Sequence, residues 1–224
     1  MSIRRTTGMV LLCALTLSAG EVLDRIAATV NGHAILQSDW DQEARYESFM
    51  SGRPSQQVTG EAQKAALDHL IDQELLREQV SAPEGSQVSP EEVEKQLHSL
   101  RGDYLREHGL ALEEALSKHH LTESDVRSHI ETELAQLRIV DTRLRPSIQI
   151  EPAEVESYYK NKLVPELTRS GGKKTTLQEA TPQIRELLVQ EKMNQMLGPW
   201  LESMRSQAHI RMLVSTALED RGGQ

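Results

Sequence analysis

The sequence predicts a mainly helical fold with one small antiparallel β-sheet. Several segments carry apolar residues at helical spacing behind a capping residue, a pattern typical of amphipathic helices. Two short apolar segments, Ile26 to Val30 and His33 to Leu36, flank Asn31-Gly32. This dipeptide readily takes the positive φ angles of a two-residue turn, which indicates a β-hairpin. With 38% hydrophobic residues, the 224-residue chain can bury one core of ordinary size.

Capping residues and prolines give the expected bounds of the other elements. Predicted helices run from Ser38 to about Met50, Thr59 to about Val80, Ser89 into the Gly102 to Gly109 region, about Leu112 to Lys118, Thr122 to Pro146, Pro152 to about Leu163 and Thr181 to about Gln207. Ile148 to Ile150 and His209 to Leu213 are expected strands, the latter joining the hairpin. Gly198-Pro199 predicts a kink or break in the last helix, because an internal proline removes a hydrogen bond.

The segment between the last two predicted helices differs in composition from its surroundings. Pro165 to Thr176 contains Ser170-Gly171-Gly172-Lys173-Lys174, which is typical of a flexible surface linker. We therefore expect a linker over residues 166–176. Residues 214–224 are expected to form a frayed tail.

The first twenty residues have the three parts of a secretory signal peptide. Arg4 and Arg5 precede the apolar run Met9 to Leu17, which small residues follow. We expect cleavage near Gly20 and export to the periplasm. The run is too short to span a bilayer, so no stable membrane insertion is expected.

Charge and cysteine content exclude several classes of function. The formal net charge is −9, and such a surface repels phosphate backbones, so we expect no nucleic-acid partner. Cys13 is the single cysteine and would leave with the signal peptide. An exported chain without cysteine has no disulfide, no thiolate zinc site and no cysteine nucleophile.

In order, these segments resemble the SurA family of periplasmic chaperones. The matching stretches are Leu23 to Gly32, Ile35 to Asp39, Ala66 to Leu76, Val88 to Val93 and Ile150 to Val155, and Leu177 through Ile210 is similar to the family's C-terminal helix and strand. The resemblance implies a SurA N-terminal-like helical chaperone module over residues 21–165. It also implies that the helix and strand of residues 177–213 return to complete that module.

One departure from the family pattern bears on activity. Family members usually carry parvulin-type prolyl isomerase domains before the last helix, whereas Pro165 to Thr176 is far shorter than the roughly 40 residues that an unstapled domain needs. The resemblance then implies an ATP-independent holdase for unfolded polypeptides, chiefly outer-membrane or secreted proteins, without enzymatic activity or a cofactor. The alternatives are a divergent prolyl isomerase and a scaffold subunit of an envelope assembly. The sequence does not specify the oligomeric state.

A methionine-rich stretch is the candidate client-binding surface, because methionine adapts its shape to varied partners. Its members are Met193, Met196, Leu197, Trp200 and Met204. Phe49 and Met50, at a helix end, are lesser candidates. The alternative for each residue is burial in the core, since helical stripes usually pack inward.

Other candidate sites have simpler explanations. His119-His120 with His129 lacks the pattern of a metal site, and we expect a solvated turn there. Asp68, Asp72 and Glu74 are expected on a solvated helix face. The sequence contains no nucleophile elbow, phosphate loop or metalloprotease motif, so we expect no catalytic residue and no resident metal.

Overall fold

The computed structural model describes residues 24–54, 59–79, 87–172 and 175–213. The expected signal peptide, the tail and Lys173-Lys174 lie outside these residues. The strands are β1 (Ile26–Val30), β2 (His33–Leu36) and β3 (Ile210–Met212); the helices are α1 (Gln37–Met50), α2 (Gly60–Glu78), α3 (Pro90–His108), α4 (Leu112–Lys118), α5 (Glu123–Leu144), α6 (Pro152–Tyr158), α7 (Val164–Ser170) and α8 (Leu177–Gln207). The predicted fold class, mainly helical with a small antiparallel sheet, is confirmed.

The sheet brings the two ends of the described chain together. Its strand order is β2-β1-β3, and both neighbours run antiparallel to β1. Asn31 and Gly32 form the hairpin turn with φ angles of 49° and 93°. Asn31 also fixes the returning chain, since its N–H donates to the His209 carbonyl at 3.0 Å. The predicted third strand is therefore confirmed as the partner of β1.

Most helix starts follow the predicted caps. The hydroxyls of Thr59, Ser89 and Thr122 accept N–H groups of the first turns of α2, α3 and α5. The prediction for Ser38 was wrong: α1 begins at Gln37, and the Ser38 hydroxyl donates to Asp24 instead. Because the Asp24 carboxylate takes this hydroxyl, Ser38 lies inside the first turn.

Two predictions about the middle of the chain were also wrong. Ile148 to Ile150 forms no strand; Ile150 packs against the Val155 cluster, away from the sheet. Residues 166–170, the first part of the expected linker, belong to helix α7. A π-helical segment, Tyr159–Leu163, joins α6 to α7, whose second residue is Pro165, where a regular helix would lose a hydrogen bond. The helix ends where Gly171 takes a left-handed conformation with φ of 67°.

Helix α8 begins earlier than predicted and passes through both of its prolines. Thr176, not Thr181, is its cap, with Glu179 completing a capping box. We predicted a kink or a break at Gly198-Pro199; the helix continues through Pro199, so the break was wrong. Gly198 precedes that proline and has no Cβ to clash with the pyrrolidine ring, which lowers the steric cost of helical geometry. No helix in the described part of the chain combines the length and the hydrophobicity that a membrane-spanning segment needs.

The core divides into three clusters. One joins the end of α1 to α3, α4 and the start of α5, with Phe49, Leu97 and Val126 fully buried. A second packs the sheet and the start of α1 against α2, and Met204 of α8 joins it. The third is small and holds α6 against α8 through Val155, Ala180 and Ile184. The two halves of α8 thus pack against different clusters.

Candidate functional site

The predicted methionine-rich surface lies on one side of the second half of α8. We call Met193, Met196, Leu197, Trp200 and Met204 the α8 stripe. Met193 is only 5% exposed, and Met204 packs against the sheet cluster, so these two support the fold. Met196 is 37% exposed, and Leu197 and Trp200 are half-buried. The accessible part of the stripe is therefore Met196, Leu197 and Trp200.

Charged pairs hold α8 against three other parts of the chain. Arg205 donates to Asp72 at 2.6 Å and to the Asp68 carbonyl at 2.8 Å. The guanidinium of Arg145 donates to both oxygens of Glu186, at 2.8 and 2.9 Å. Bidentate pairs of this kind add directional specificity.

A third pair holds the centre of α8. Lys192 donates to Glu154 of α6 at 3.0 Å and to the Gln149 carbonyl at 2.8 Å. Lys192 immediately precedes Met193 in the chain. The α8 stripe is thus presented on a helix that is fixed near both ends and near its middle.

The two lesser candidates, Phe49 and Met50, differ in their exposure to solvent. Phe49 is fully buried and stacks on Tyr104 with ring centroids 4.7 Å apart. Its carbonyl accepts a hydrogen bond from the Tyr104 hydroxyl. It cannot contact a client in this conformation, because a phenyl ring at the end of α1 completes the first core cluster. Met50 is 41% exposed and stays available.

An open groove of about 630 Å³ lies between β2, α2 and α5. We call it the β2–α5 groove. Its apolar lining comes from Ala34, Ile35, Leu70, Ala135 and Ile139; its polar lining comes from Asp39, Gln73, Glu74, Arg77, Glu131, Thr132 and Gln136. Sequence reasoning missed it, because three elements distant in the chain form its walls.

A second feature that sequence reasoning missed is a cluster of acidic and imidazole groups, Glu43, Glu47, His69 and His129, which we call the Glu43 cluster. Glu43 is 2% exposed, with one oxygen 2.8 Å from His69 Nδ1 and the other 3.5 Å from His129 Nδ1. The sequence did carry a signal: Glu43 follows Trp40 by three residues and thus shares the inward face of α1.

The surroundings shift the pKa values of these groups in opposite directions. The hydrogen bond to Glu43 raises the pKa of His69 above its usual value, although burial opposes it. Burial lowers the pKa of His129, whose ring stacks on Tyr46 at 3.8 Å. Burial raises the pKa of Glu47, and the nearby charge of Glu43 adds to the effect.

Most of the remaining polar candidates pack in the core or form ion pairs within the chain. His119 is 5% exposed and packs edge-on against Phe49, so the predicted solvated turn was wrong for His119; His120 is exposed. Burial lowers the pKa of His119. Asp68 and Asp72 bind Arg205 rather than forming a free solvated face.

Comparison with known proteins assigns the chain to a family. Residues 9–140 match the SurA-like N-terminal domain. The chain belongs to this family. The SurA-like region thus extends to Val140, within α5, and includes the hairpin and the walls of the β2–α5 groove. The α8 stripe lies beyond the matched residues.

Curated relatives of this SurA-like protein carry the name Chaperone SurA. The protein from Pseudomonas aeruginosa is 26% identical over 156 residues, which cover 67% of this chain and 36% of the relative. The protein from Salmonella typhimurium is 23% identical over 156 residues, covering 68% and 36%. The protein from Escherichia coli O157:H7 is 24% identical over 153 residues, covering 67% and 35%. The alignments span little more than a third of each relative.

Proposed function

We propose that this protein is an ATP-independent chaperone of the periplasm that holds unfolded polypeptides, including outer-membrane or secreted proteins. The observation that carries the proposal is accessible apolar surface within a SurA-like protein: Met196, Leu197 and Trp200 on α8. Methionine and tryptophan suit a surface that must accept many sequences. The name of the curated relatives supports chaperone activity.

Energetics favour reversible holding. Hiding about 400 Å² of client apolar surface contributes about 10 kcal/mol at about 25 cal/mol per Å². Lost motion and ordering of the client offset about 4 kcal/mol or more. The remaining 6 kcal/mol or so corresponds to a Kd of tens of micromolar or weaker. Release then needs no nucleotide when the final fold of the client buries the same surface.

The β2–α5 groove is a second surface that an extended client segment can occupy. Its lining combines apolar and polar side chains, as that of binding grooves commonly does. The net charge of −9 keeps the loaded chaperone soluble. We assign the first contact to the α8 stripe and treat the groove as an extension that the same experiment tests.

The experiment is suppression of aggregation of a denatured outer-membrane protein. A triple variant, Met196→Gln, Leu197→Gln and Trp200→Gln, should lose most of the protection. The matched control changes two exposed leucines outside the α8 stripe, Leu105→Gln and Leu137→Gln. Circular dichroism and urea unfolding establish that each variant is folded.

A groove variant, Ala135→Arg, separates the two surfaces. Loss of protection in this variant alone would move client binding from the α8 stripe to the β2–α5 groove. Full protection by both the triple and the groove variants would remove both surfaces from the proposal. No protection by the unmodified protein would overturn the holdase function itself.

We propose that the chaperone activity does not depend on an isomerase domain between α6 and α8. The interval between α6 and α8 holds the π-helical segment, the seven-residue α7 and a short connection. A protease-coupled assay with a proline peptide tests this step, and catalysis above the uncatalysed rate would favour the isomerase alternative. Pull-down of one stoichiometric partner instead of many unfolded clients would favour the scaffold.

A further inference from the structure

The Glu43 cluster brings together donor atoms from two neighbouring helices. Glu43 and Glu47 lie one turn apart on α1, and His69 faces them from α2. One carboxylate oxygen of Glu43 is 2.8 Å from His69 Nδ1, and one of Glu47 is 3.9 Å from the same nitrogen. The carboxylate oxygens and the imidazole nitrogen all lie within 4.8 Å of one another.

The burial of Glu43 is hard to explain by packing alone. A carboxylate that is 98% buried needs a compensating positive charge, because desolvation of an unpaired carboxylate is very costly. Its ion-pair partners among the described residues are the imidazoles of His69 and His129. These side chains carry charge only when protonated, and neither offers the permanent charge of an arginine or a lysine.

We propose that Glu43, Glu47 and His69 bind a divalent transition-metal ion, with Zn²⁺ as the reference ion. Zinc accepts carboxylate oxygen and imidazole nitrogen at about 2.0–2.2 Å, so tetrahedral donors lie about 3.4 Å apart. The observed separations of 2.8 and 3.9 Å bracket that value. Binding would therefore require the Glu43 and His69 donors to move apart and the Glu47 donor to move closer to His69.

Two neighbouring groups border the three donors. The second oxygen of Glu43 is 3.5 Å from His129 Nδ1 on α5, so a second imidazole lies beside the site. The amide of Gln73 contacts His69 Nε2 at 3.4 Å and can orient the ring, as outer-shell partners of metal-bound histidines do. The imidazole donors favour zinc over Mg²⁺ and Ca²⁺, which prefer oxygen ligands.

An ion can reach this site from solvent. His69 is 41% exposed and Glu47 33% exposed, so one side of the cluster is open. Glu43 and His129 line a cavity of about 200 Å³, which shares Asp39, Gln73 and Thr132 with the lining of the β2–α5 groove. A bound ion would therefore join α1 to α2 beside that groove.

A second group, His33 with Glu74 and Glu78, has similar separations but different surroundings. Arg77 donates to Glu74, and Asn31 donates to Glu78, so cationic and amide donors already occupy these carboxylates. His33 is 58% exposed. This group supplies an internal control for the Glu43 cluster.

The test is calorimetric titration of the protein, purified without an affinity tag and dialysed against chelator, with ZnCl₂. We expect one ion per chain, affinity reduced more than tenfold by His69→Gln and by Glu47→Gln, and unchanged affinity in His33→Gln. The Gln73→Ala variant should lose about 10–100-fold. MgCl₂ and CaCl₂ should give no comparable heat.

Three outcomes would overturn the proposal. They are no zinc binding at tens of micromolar, undiminished binding in both His69→Gln and Glu47→Gln, or loss of binding in His33→Gln instead. Glu47 is partly exposed and outside the three core clusters, so we expect Glu47→Gln to fold. This variant tests the proposal even if His69→Gln fails to fold. Far-ultraviolet circular dichroism reports the fold of each variant.

Discussion

The Nε–H of Arg205 in α8 donates a hydrogen bond to the Asp72 carboxylate of α2 at 2.6 Å, although the two residues are 133 positions apart in the chain. The guanidinium also reaches the Asp68 carbonyl, so one side chain makes charged and backbone contacts at once. Both partners are about one-quarter exposed. The pair therefore fastens the end of α8, next to β3, onto the helix that underlies the sheet.

Arg205→Ala should lower the free energy of unfolding by about 1–3 kcal/mol, because it leaves a partly buried carboxylate without its donor. The measurement is urea unfolding. Arg169→Ala is the matched control: its pair with Glu166 is highly exposed, and its cost should stay within about 0.5 kcal/mol. Equal costs for the two variants would show that the α8 contact adds no more than a surface pair.

Two leucines of α3 give a matched test of the first core cluster. Leu97 is fully buried, whereas Leu105 on the same helix is 55% exposed. Leu97→Ala should cost about 2–5 kcal/mol because it opens a cavity, and Leu105→Ala should cost less than about 0.5 kcal/mol. Thermal and urea unfolding measure both. A small cost at Leu97 would contradict the packing of α3 against α4 and α5.

Alanine substitution of two glycines, one inside α3 and one capping its end, should change the free energy of unfolding in opposite directions. Gly102 lies inside the helix, and a Cβ added there would meet no atom within 4 Å, so Gly102→Ala should stabilise the protein by about 0.5–1 kcal/mol. Gly109 ends the helix with a φ of 65°, and Gly109→Ala should destabilise it by about 1 kcal/mol. Differential scanning calorimetry decides the signs. Stabilisation by Gly109→Ala would contradict the left-handed cap.

The two histidines of the Glu43 cluster should make stability depend on pH in opposite ways. The pKa of His69 is raised in the folded state, so its contribution is fully present below the unfolded value of about 6.5 and is lost as the pH rises through the folded value. The pKa of His129 is lowered. The unfolded chain therefore takes up that proton first, and stability is lost as the pH falls below about 6.5.

Urea unfolding at pH 5.5 and pH 8.5, with chelator present, measures both effects. The stability difference between the unmodified protein and His69→Gln should be larger at the lower pH. The stability of the unmodified protein relative to His129→Gln should instead be greater at the higher pH. Differences of the same sign in both variants would contradict the assigned shifts, which NMR titration of the two rings measures directly.

Local chemistry made much of this fold predictable. Asn31-Gly32 specifies a tight turn regardless of what packs against it, and Ser89 with Glu92 closes a capping box within four residues. The predicted bounds of α4 also match the structure, although no side chain caps its first turn. Where one short stretch contains all the interacting groups, sequence alone suffices.

Errors arose where distant parts of the chain decide the outcome. Gly198-Pro199 predicted a kink or break, yet α8 continues through Pro199. Phe49 looked like a client contact because its partners, Tyr104 and His119, lie more than fifty residues away. The β2–α5 groove and the Glu43 cluster depend wholly on such distant pairings.

The central position of β1 has a consequence for biogenesis. Its hairpin partner follows within a few residues, but its other neighbour, β3, comes near the end of the described chain, and His209 meets Asn31 across 178 residues. Synthesis proceeds from the amino terminus, so one edge of β1 stays without its β3 partner until the residues up to Met212 have emerged. Closing so long a loop is entropically slow. A nascent chain of this protein must therefore avoid strand-mediated aggregation during its own maturation.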